Sequence, residues 1–424
     1  MNLRRQAAAL ASAAVLCAVA APVAAADETA SPSPSAPALP DGLYGKGDPT
    51  YSGVWRQSYA LLALDTVGVR PAESAVSWLT GQQCADGGFA SYRADTAKAC
   101  DAKTEDTNAT AIAVQALSAL GGQDAAVKKA TDWLKSVQNA DGGWSYNPGG
   151  ASDANSTGVV AGAFDAAGTD AEDVAKGGKS AADALLGFQL DCKAKEADRG
   201  AFAYQPTDGK LTADAKATTG AVLGLEGDGF VLDAPDAGEK GEAPKALACP
   251  ASSAGPDDDA SADAGSAWLA ARLAAGDHHF TAATPGSDEK KPDFGTTADA
   301  VIALAAGDHL DAAKSSYGWL TENAGDWASS DPSAAAQLVL GAHATGQDPR
   351  KAGGTDYVAL LTDMGPAPAA AAPSKSAAER AANGKDDQQQ SDGDSLSVWW
   401  IIGVGLVAGI GIGFLISARK KSQG

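Results

Sequence analysis

The chain has 424 residues, enough for one large domain or two ordinary ones, and its hydrophobic fraction of 45% excludes wholesale disorder. It carries 32 Lys+Arg against 53 Asp+Glu, a net charge of −21. Five of the cations sit at the two ends, so the stretch between holds 27 cations against 53 anions, a balance of −26. Phosphate binding needs a basic face, so nucleic acid is excluded as an expected partner.

Residues 1–26 have the three parts of an export signal. Arg4 and Arg5 form the charged start, Leu10 to Ala21 the apolar middle, and Ala24-Ala25-Ala26 the small-residue cleavage site. Residues 27–42 follow as a Ser/Pro linker that buries too little apolar surface to order itself. A globular region is expected over 43–364. A stalk rich in Ala, Pro, Gln and charge is expected over 365–395. Residues 396–418 are free of charge, and about 20 apolar residues at ~1.5 Å each cross a bilayer core of ~30 Å. Trp399 and Trp400 mark one interface, and Arg419, Lys420 and Lys421 begin a tail, 419–424, that the positive-inside rule keeps cytoplasmic. The expected location is therefore the cell membrane: a single pass, with the large N-terminal region outside. Cys84, Cys100, Cys192 and Cys249 remain after the signal and allow three pairings; proximity in sequence favours Cys84–Cys100 and, by remainder, Cys192–Cys249.

Within the globular region the chain repeats itself. Trp78-Leu79-x-x-x-Gln83-x-Ala85-Asp86-Gly87-Gly88-Phe89 returns 55 residues later as Trp133-Leu134-x-x-x-Gln138-x-Ala140-Asp141-Gly142-Gly143-Trp144. Weaker copies lead from Leu185 to Phe202, from Trp268 to Phe280 and from Trp319 to Trp327. Each unit reads as a helix ending on a buried aromatic-Leu pair, a Gln one turn on, a glycine turn and an aromatic plug. A polar stretch then caps the next helix. Twelve helices are expected in chain order: 54–67, 73–82, 106–120, 125–138, 154–167, 172–190, 213–225, 262–273, 296–306, 309–322, 332–345 and 350–363. No run has convincing strand alternation.

Lys129-Ala130-x-x-Trp133-Leu134-x-x-x-Gln138, followed by Gly142-x-Trp144, matches the repeat of terpenoid cyclases and protein prenyltransferases. The region 43–364 thus resembles the prenyltransferase/squalene-oxidase repeat group, most strongly over 73–167, as a membrane-anchored bacterial surface member. The resemblance implies an all-α fold, an α/α toroid of six inner and six outer helices around a cavity open at one end. It also implies that the repeat residues are structural.

The chemistry of the family's enzymes is missing from the sequence. There is no Asp-x-Asp-Asp acid, no Gly-Cys-Gly-Glu-Gln thioester and no convincing zinc triad among His278, His279, His309, His343 and the cysteines. Asp257-Asp258-Asp259 reads as a solvated loop. No cofactor, metal site or catalytic residue is expected. What remains is the cavity mouth, where the capped helix starts gather Tyr92, Asp106, Asn108, Tyr146, Asp153, Asn155 and Tyr204 as candidate ligand-binding residues. Each is also accounted for as a cap or loop residue. The first functional reading is a non-catalytic, surface-anchored toroid that binds a small molecule, a corrinoid or other nutrient, or a membrane partner such as a transporter. The alternatives are a terpenoid or prenyl-lipid cyclase or transferase, and a structural or adhesion protein of the envelope.

Overall fold

The computed structural model describes residues 40–236, 238–249, 257–283 and 289–369. The export signal at 1–26, the membrane span at 396–418, the tail at 419–424 and most of the linker and stalk lie outside these residues. Among the described residues no helix is long and apolar enough to cross a membrane. The chain divides into two compact units, Met1–Ala367 and Pro368–Gly424, and almost all described residues belong to the first.

Thirteen α-helices occur among the described residues: α1 Gly53–Thr66, α2 Glu73–Gly81, α3 Thr107–Leu120, α4 Asp124–Ser136, α5 Ala154–Ala166, α6 Ala181–Leu186, α7 Ala215–Glu226, α8 Asp258–Ala275, α9 Phe294–Ala306, α10 Leu310–Asn323, α11 Gly325–Ser330, α12 Pro332–Ala344 and α13 Tyr357–Asp363. Helices α1, α3, α5, α7, α9 and α12 form the inner ring. Each packs on the next, and α12 returns to α1, so the ring closes. Outer helices α2, α4, α6, α8, α10 and α13 brace it, which makes the fold an α/α toroid rather than an open solenoid.

Composition explains which helix goes where. Helices α3, α5 and α12 consist mainly of Ala, Gly, Val and Thr and are buried around most of their girth. Outer α4 buries one stripe only, Ala130, Thr131, Trp133 and Leu134. The inner ring is tightest between α5 and α7, where a Cβ on Gly158 would lie 1.9 Å from the Gly220 carbonyl oxygen.

Four details depart from the expected elements. The helix expected over 172–190 is reduced to α6 and a single 3-10 turn at Ala171–Asp173, because the Gly177-Gly178 turn between paired Lys176 and Lys179 interrupts it. The helix expected over 350–363 is reduced to α13, broken upstream at Gly353-Gly354. The short helix α11 is additional. Strands β1 Thr281–Ala283 and β2 Lys290–Pro292 pair antiparallel; both are wholly exposed, so no apolar alternation marks them in the sequence.

The repeat residues act as fasteners. Gln83 Nε2 donates to the Gly87 and Ala126 carbonyls, Gln138 Nε2 to those of Gly142 and Val174, and Gln189 Nε2 to those of Gly200 and Ser261. Each Gln thus ties its own glycine turn to backbone of the next unit. Gly142 has φ +91, and a Cβ there would sit 2.1 Å from the Ser180 carbonyl oxygen, so both conformation and space require glycine. Trp144 is fully buried and donates from Nε1 to the Leu134 carbonyl at 2.7 Å. Replacing Gln138 by Ala strands two buried carbonyls. Chemical denaturation should show a loss of about 2 kcal/mol, whereas an unchanged midpoint would remove the fastener role.

Both disulfides have the pairing expected from proximity, Cys84–Cys100 and Cys192–Cys249.

Candidate functional site

Four inner helices begin in the same way. Asp106, Asp153, Asp214 and Asp293 are N-caps whose carboxylates accept from the backbone N–H three residues on, at 2.7–3.0 Å. The Asp N–H donates to the carbonyl of the preceding plug aromatic, Phe89, Trp144, Phe202 or Phe280. The N–H of that aromatic donates in turn to a Thr hydroxyl four residues past the cap: Thr110, Thr157, Thr218 or Thr297. An Asp-x-x-x-Thr motif therefore fixes the starts of these four inner helices at one rim of the ring. Positions two and six past the cap are four residues apart, one helical turn, and share a face. In three of these helices the residue two past the cap, Asn108, Asn155 or Lys216, lines a cavity, and so do Val159, Gly220 and Asp299 at the deeper level.

The cavity measures about 280 Å³, at the lower edge of the range for small-molecule sites. Trp55, Val159, Leu223 and Phe230 form its apolar wall, and Tyr51 and Tyr146 stand at the mouth. Its floor comes from outside the ring helices. After α7 the chain turns inward, and the Phe230 N–H donates to Gln115 Oε1 at 2.9 Å. The Phe230 ring then packs on Tyr59 at 5.0 Å and Trp55 at 6.2 Å between centroids. This plug makes the central space a shallow cup.

The polar end of the cup spans three helices. Lys216 Nζ on α7 pairs with Asp299 Oδ2 on α9, and Gln337 Nε2 on α12 donates to Asp299 Oδ1 at 2.7 Å. Asp299 is 6% exposed, whereas the Lys216 side chain is 48% exposed and reaches the cavity. Burial first, and then the charge of Asp299, pushes the Tyr59 hydroxyl well above its ordinary range. Asn108 is 8% exposed, and its Oδ1 has no hydrogen-bond partner. Asp106 accepts from Ser91 Oγ at 2.7 Å as well as from its cap N–H.

Residues 38–197 match the family model of the prenyltransferase alpha-alpha toroid domain. Over those residues the chain is similar to the prenyltransferase α/α-toroid family. Two solved structures share a looser likeness to the toroid. A protein from Actinoplanes is 19% identical, with 66% of this chain and 73% of that chain covered and a TM-score of 0.39. The type II terpene cyclase MstE from Scytonema, in its apo form, is 15% identical, with coverage of 66% and 72% and a TM-score of 0.40. Likeness this slight bears on neither fold nor function. No curated protein matches the chain in sequence.

Of the seven rim residues expected for this toroid, Asp106, Asn108, Tyr146 and Asn155 line the cup and the other three do not. Tyr92 stacks on Trp78, with centroids 6.4 Å apart and planes at 14°. Asp153 is fully buried as a cap, accepting from the Ser156 N–H and hydroxyl at 2.7 and 2.8 Å. Tyr204 lies beside it, its phenol raised by burial and then by the Asp153 charge. Tyr146 is raised in the same way, by burial and then Asp106. Lys216, Asp299, Trp55 and Phe230 are wall residues that sequence reasoning missed. The motif carries a signal for Lys216, which stands two past its Asp cap as Asn108 and Asn155 do.

Asp257-Asp258-Asp259 is not a loop: Asp257 caps α8, accepting from the Ala260 N–H at 2.9 Å, and the other two begin the helix. Asp277 and His278 make the left-handed turn of the degenerate fourth repeat. His343 lies within α12. The one cluster among the described residues spaced for a metal is Cys84, Cys100 and Glu105, and its two sulfurs are joined in a disulfide.

A second pocket, on the outer side of α7, gathers Glu226, Asp259, Asp263, Asp308 and His309. Burial, followed by the charges of Asp228, Asp259, Asp263 and Asp308, pushes the Glu226 carboxyl up to about 7. The folded protein therefore holds a proton there that the unfolded chain releases lower in the pH range. Stability from this group is full below the unfolded value and is lost as pH rises through about 7. Glu226→Gln should raise stability by about 1–2 kcal/mol at pH 8, after discounting for partial exposure, and change it little at pH 4. Denaturant midpoints at the two pH values check this; an equal effect at both would contradict it.

Proposed function

We propose that the toroid is a ligand-capture module whose cup holds one small molecule, entering at the rim where the inner helices begin. The export signal and membrane span read from the sequence support a position on the outer face of the cell membrane, where a membrane transporter is the fitting partner to receive the ligand. One observation carries the reading. A ring serving only as scaffold would fill its mouth, whereas here aromatic side chains and a convergent polar end surround about 280 Å³. A corrinoid does not fit such a space and would have to rest on the rim, so the reading favours a smaller guest.

The second reading is a terpenoid or prenyl-lipid enzyme, supported by the family match over residues 38–197. A protonating acid must have a proton to give. Both carboxylates of the cup accept hydrogen bonds at both oxygens: Asp106 from Ala109 and Ser91, and Asp299 from Lys216 and Gln337. That arrangement favours capture over cyclisation.

Native mass spectrometry of the full chain isolated from its own cells tests the proposal. A retained mass of small-molecule size that is lost on denaturation supports it. Its repeated absence would leave the envelope-scaffold reading in its place.

A further inference from the structure

The proposed capture of a small molecule leaves its chemical class open, and the charge arrangement of the cup narrows it. Among the described residues Lys216 is the one cation in the wall, and Asp299 already neutralises it. Asp106 adds a further negative charge to the same cavity. The globular region 43–364 carries 24 cations against 45 anions. A phosphate or diphosphate would therefore enter against the field of the wall and of the whole domain, with no unpaired cation among the described residues of the wall to receive it.

The ammonium of Lys216 has three N–H donors, and among the described residues only Asp299 accepts from it. Gln337 holds Asp299 from the other side, so the donor is fixed in place. The side chain remains half exposed and lines the same cavity as the apolar side chains of Trp55, Leu223 and Phe230.

Resting on the capture reading, we infer that the cup selects a neutral, mainly apolar molecule with one oxygen acceptor, which Lys216 binds, and that it rejects phosphorylated forms of the same molecule. Lys216 is then the residue that sets specificity, positioned by Asp299. The carbonyl, ether or hydroxyl oxygen of the ligand replaces water on the free N–H groups, and the apolar body displaces water from the aromatic wall.

Saturation-transfer NMR titrations of the unaltered full chain with hexanone, hexane and hexyl phosphate test the inference. Hexanone should bind about tenfold more tightly than hexane, the gain of one hydrogen bond to a charged donor, and hexyl phosphate more weakly than hexanone. Replacing the pair together, Lys216→Met with Asp299→Asn, should lower hexanone to the affinity of hexane without leaving a lone buried charge. Equal binding of hexanone and hexane, or tightest binding of the phosphate, would overturn the selectivity while leaving the cup as a binding site. Binding of none of the three would overturn the capture reading itself and the selectivity with it.

Discussion

Gly158→Ala should destabilise the protein by about 3 kcal/mol or more, enough to unfold it under mild denaturant. The added Cβ would lie 1.9 Å from the Gly220 carbonyl oxygen, and the atom in its way is helix backbone, which cannot rotate aside. Helices α5 and α7 would have to separate. Gly224 faces the same crossing, where a Cβ would be 2.7 Å from the Gly158 Cα, so no neighbouring space can absorb the shift. In a closed ring, moving one inner pair apart also strains the contacts of α3 with α5 and of α7 with α9. Gly318→Ala is the matched control. Its Cβ meets nothing within 4 Å on α10, so helix propensity should make it neutral or stabilising by up to about 1 kcal/mol. Urea midpoints of the two variants decide the matter. If Gly158→Ala proved as harmless as Gly318→Ala, the close α5–α7 crossing would be wrong.

Removing the Cys192–Cys249 bond, by Cys192→Ala with Cys249→Ala, should cost about 4 kcal/mol in the loop-entropy account. The bond closes a loop of 57 residues that contains α7 and the Phe230 plug. The stretch before Cys249 has its own attachments: the Glu242 carbonyl lies 2.9 Å from His309 Nδ1, and the Lys245 N–H donates to Asp263 at 2.9 Å. These contacts hold that stretch, and Gln115 holds the Phe230 floor, without the disulfide, so the loss should fall on stability and largely spare ligand affinity. Calorimetric unfolding of oxidised, reduced and doubly substituted protein checks this. Reduction also opens Cys84–Cys100, so the reduced form should be less stable than the substituted one, and a cost of the substitution below about 1 kcal/mol would show that the unfolded chain gains little freedom from losing the bond.

Much of the fold is legible in the sequence because its determinants are local and repeated. Trp133, Gln138, Gly142 and Trp144 act within a dozen residues of one another, and so do their counterparts from Trp78 to Phe89. Each set closes a helix end that short-range rules describe. The elements that differ are those with no local determinant. The β1–β2 hairpin is backbone pairing on a solvated surface, and the Phe230 plug is held by Gln115, 115 residues away in the chain. The candidate site divides along the same line. Asp106, Asn108, Asn155 and Tyr146 follow from the caps and plugs. Lys216 carries the same cap-relative signal but stands outside the strongest repeats. Asp299 is the one charged residue within Phe294–Ala306, a helix of otherwise small and apolar residues, and a lone charge of this kind marks a polar contact across the ring. Its partners on α7 and α12 become visible only when the ring closes.

An experimental density map of the full chain, purified from its own cells without added ligand, tests the central claim most directly. The account predicts a closed ring with α12 against α1 and a compact feature between Trp55 and Lys216 that no side chain explains. A mouth filled by the protein's own side chains, or an unclosed superhelix, would contradict it.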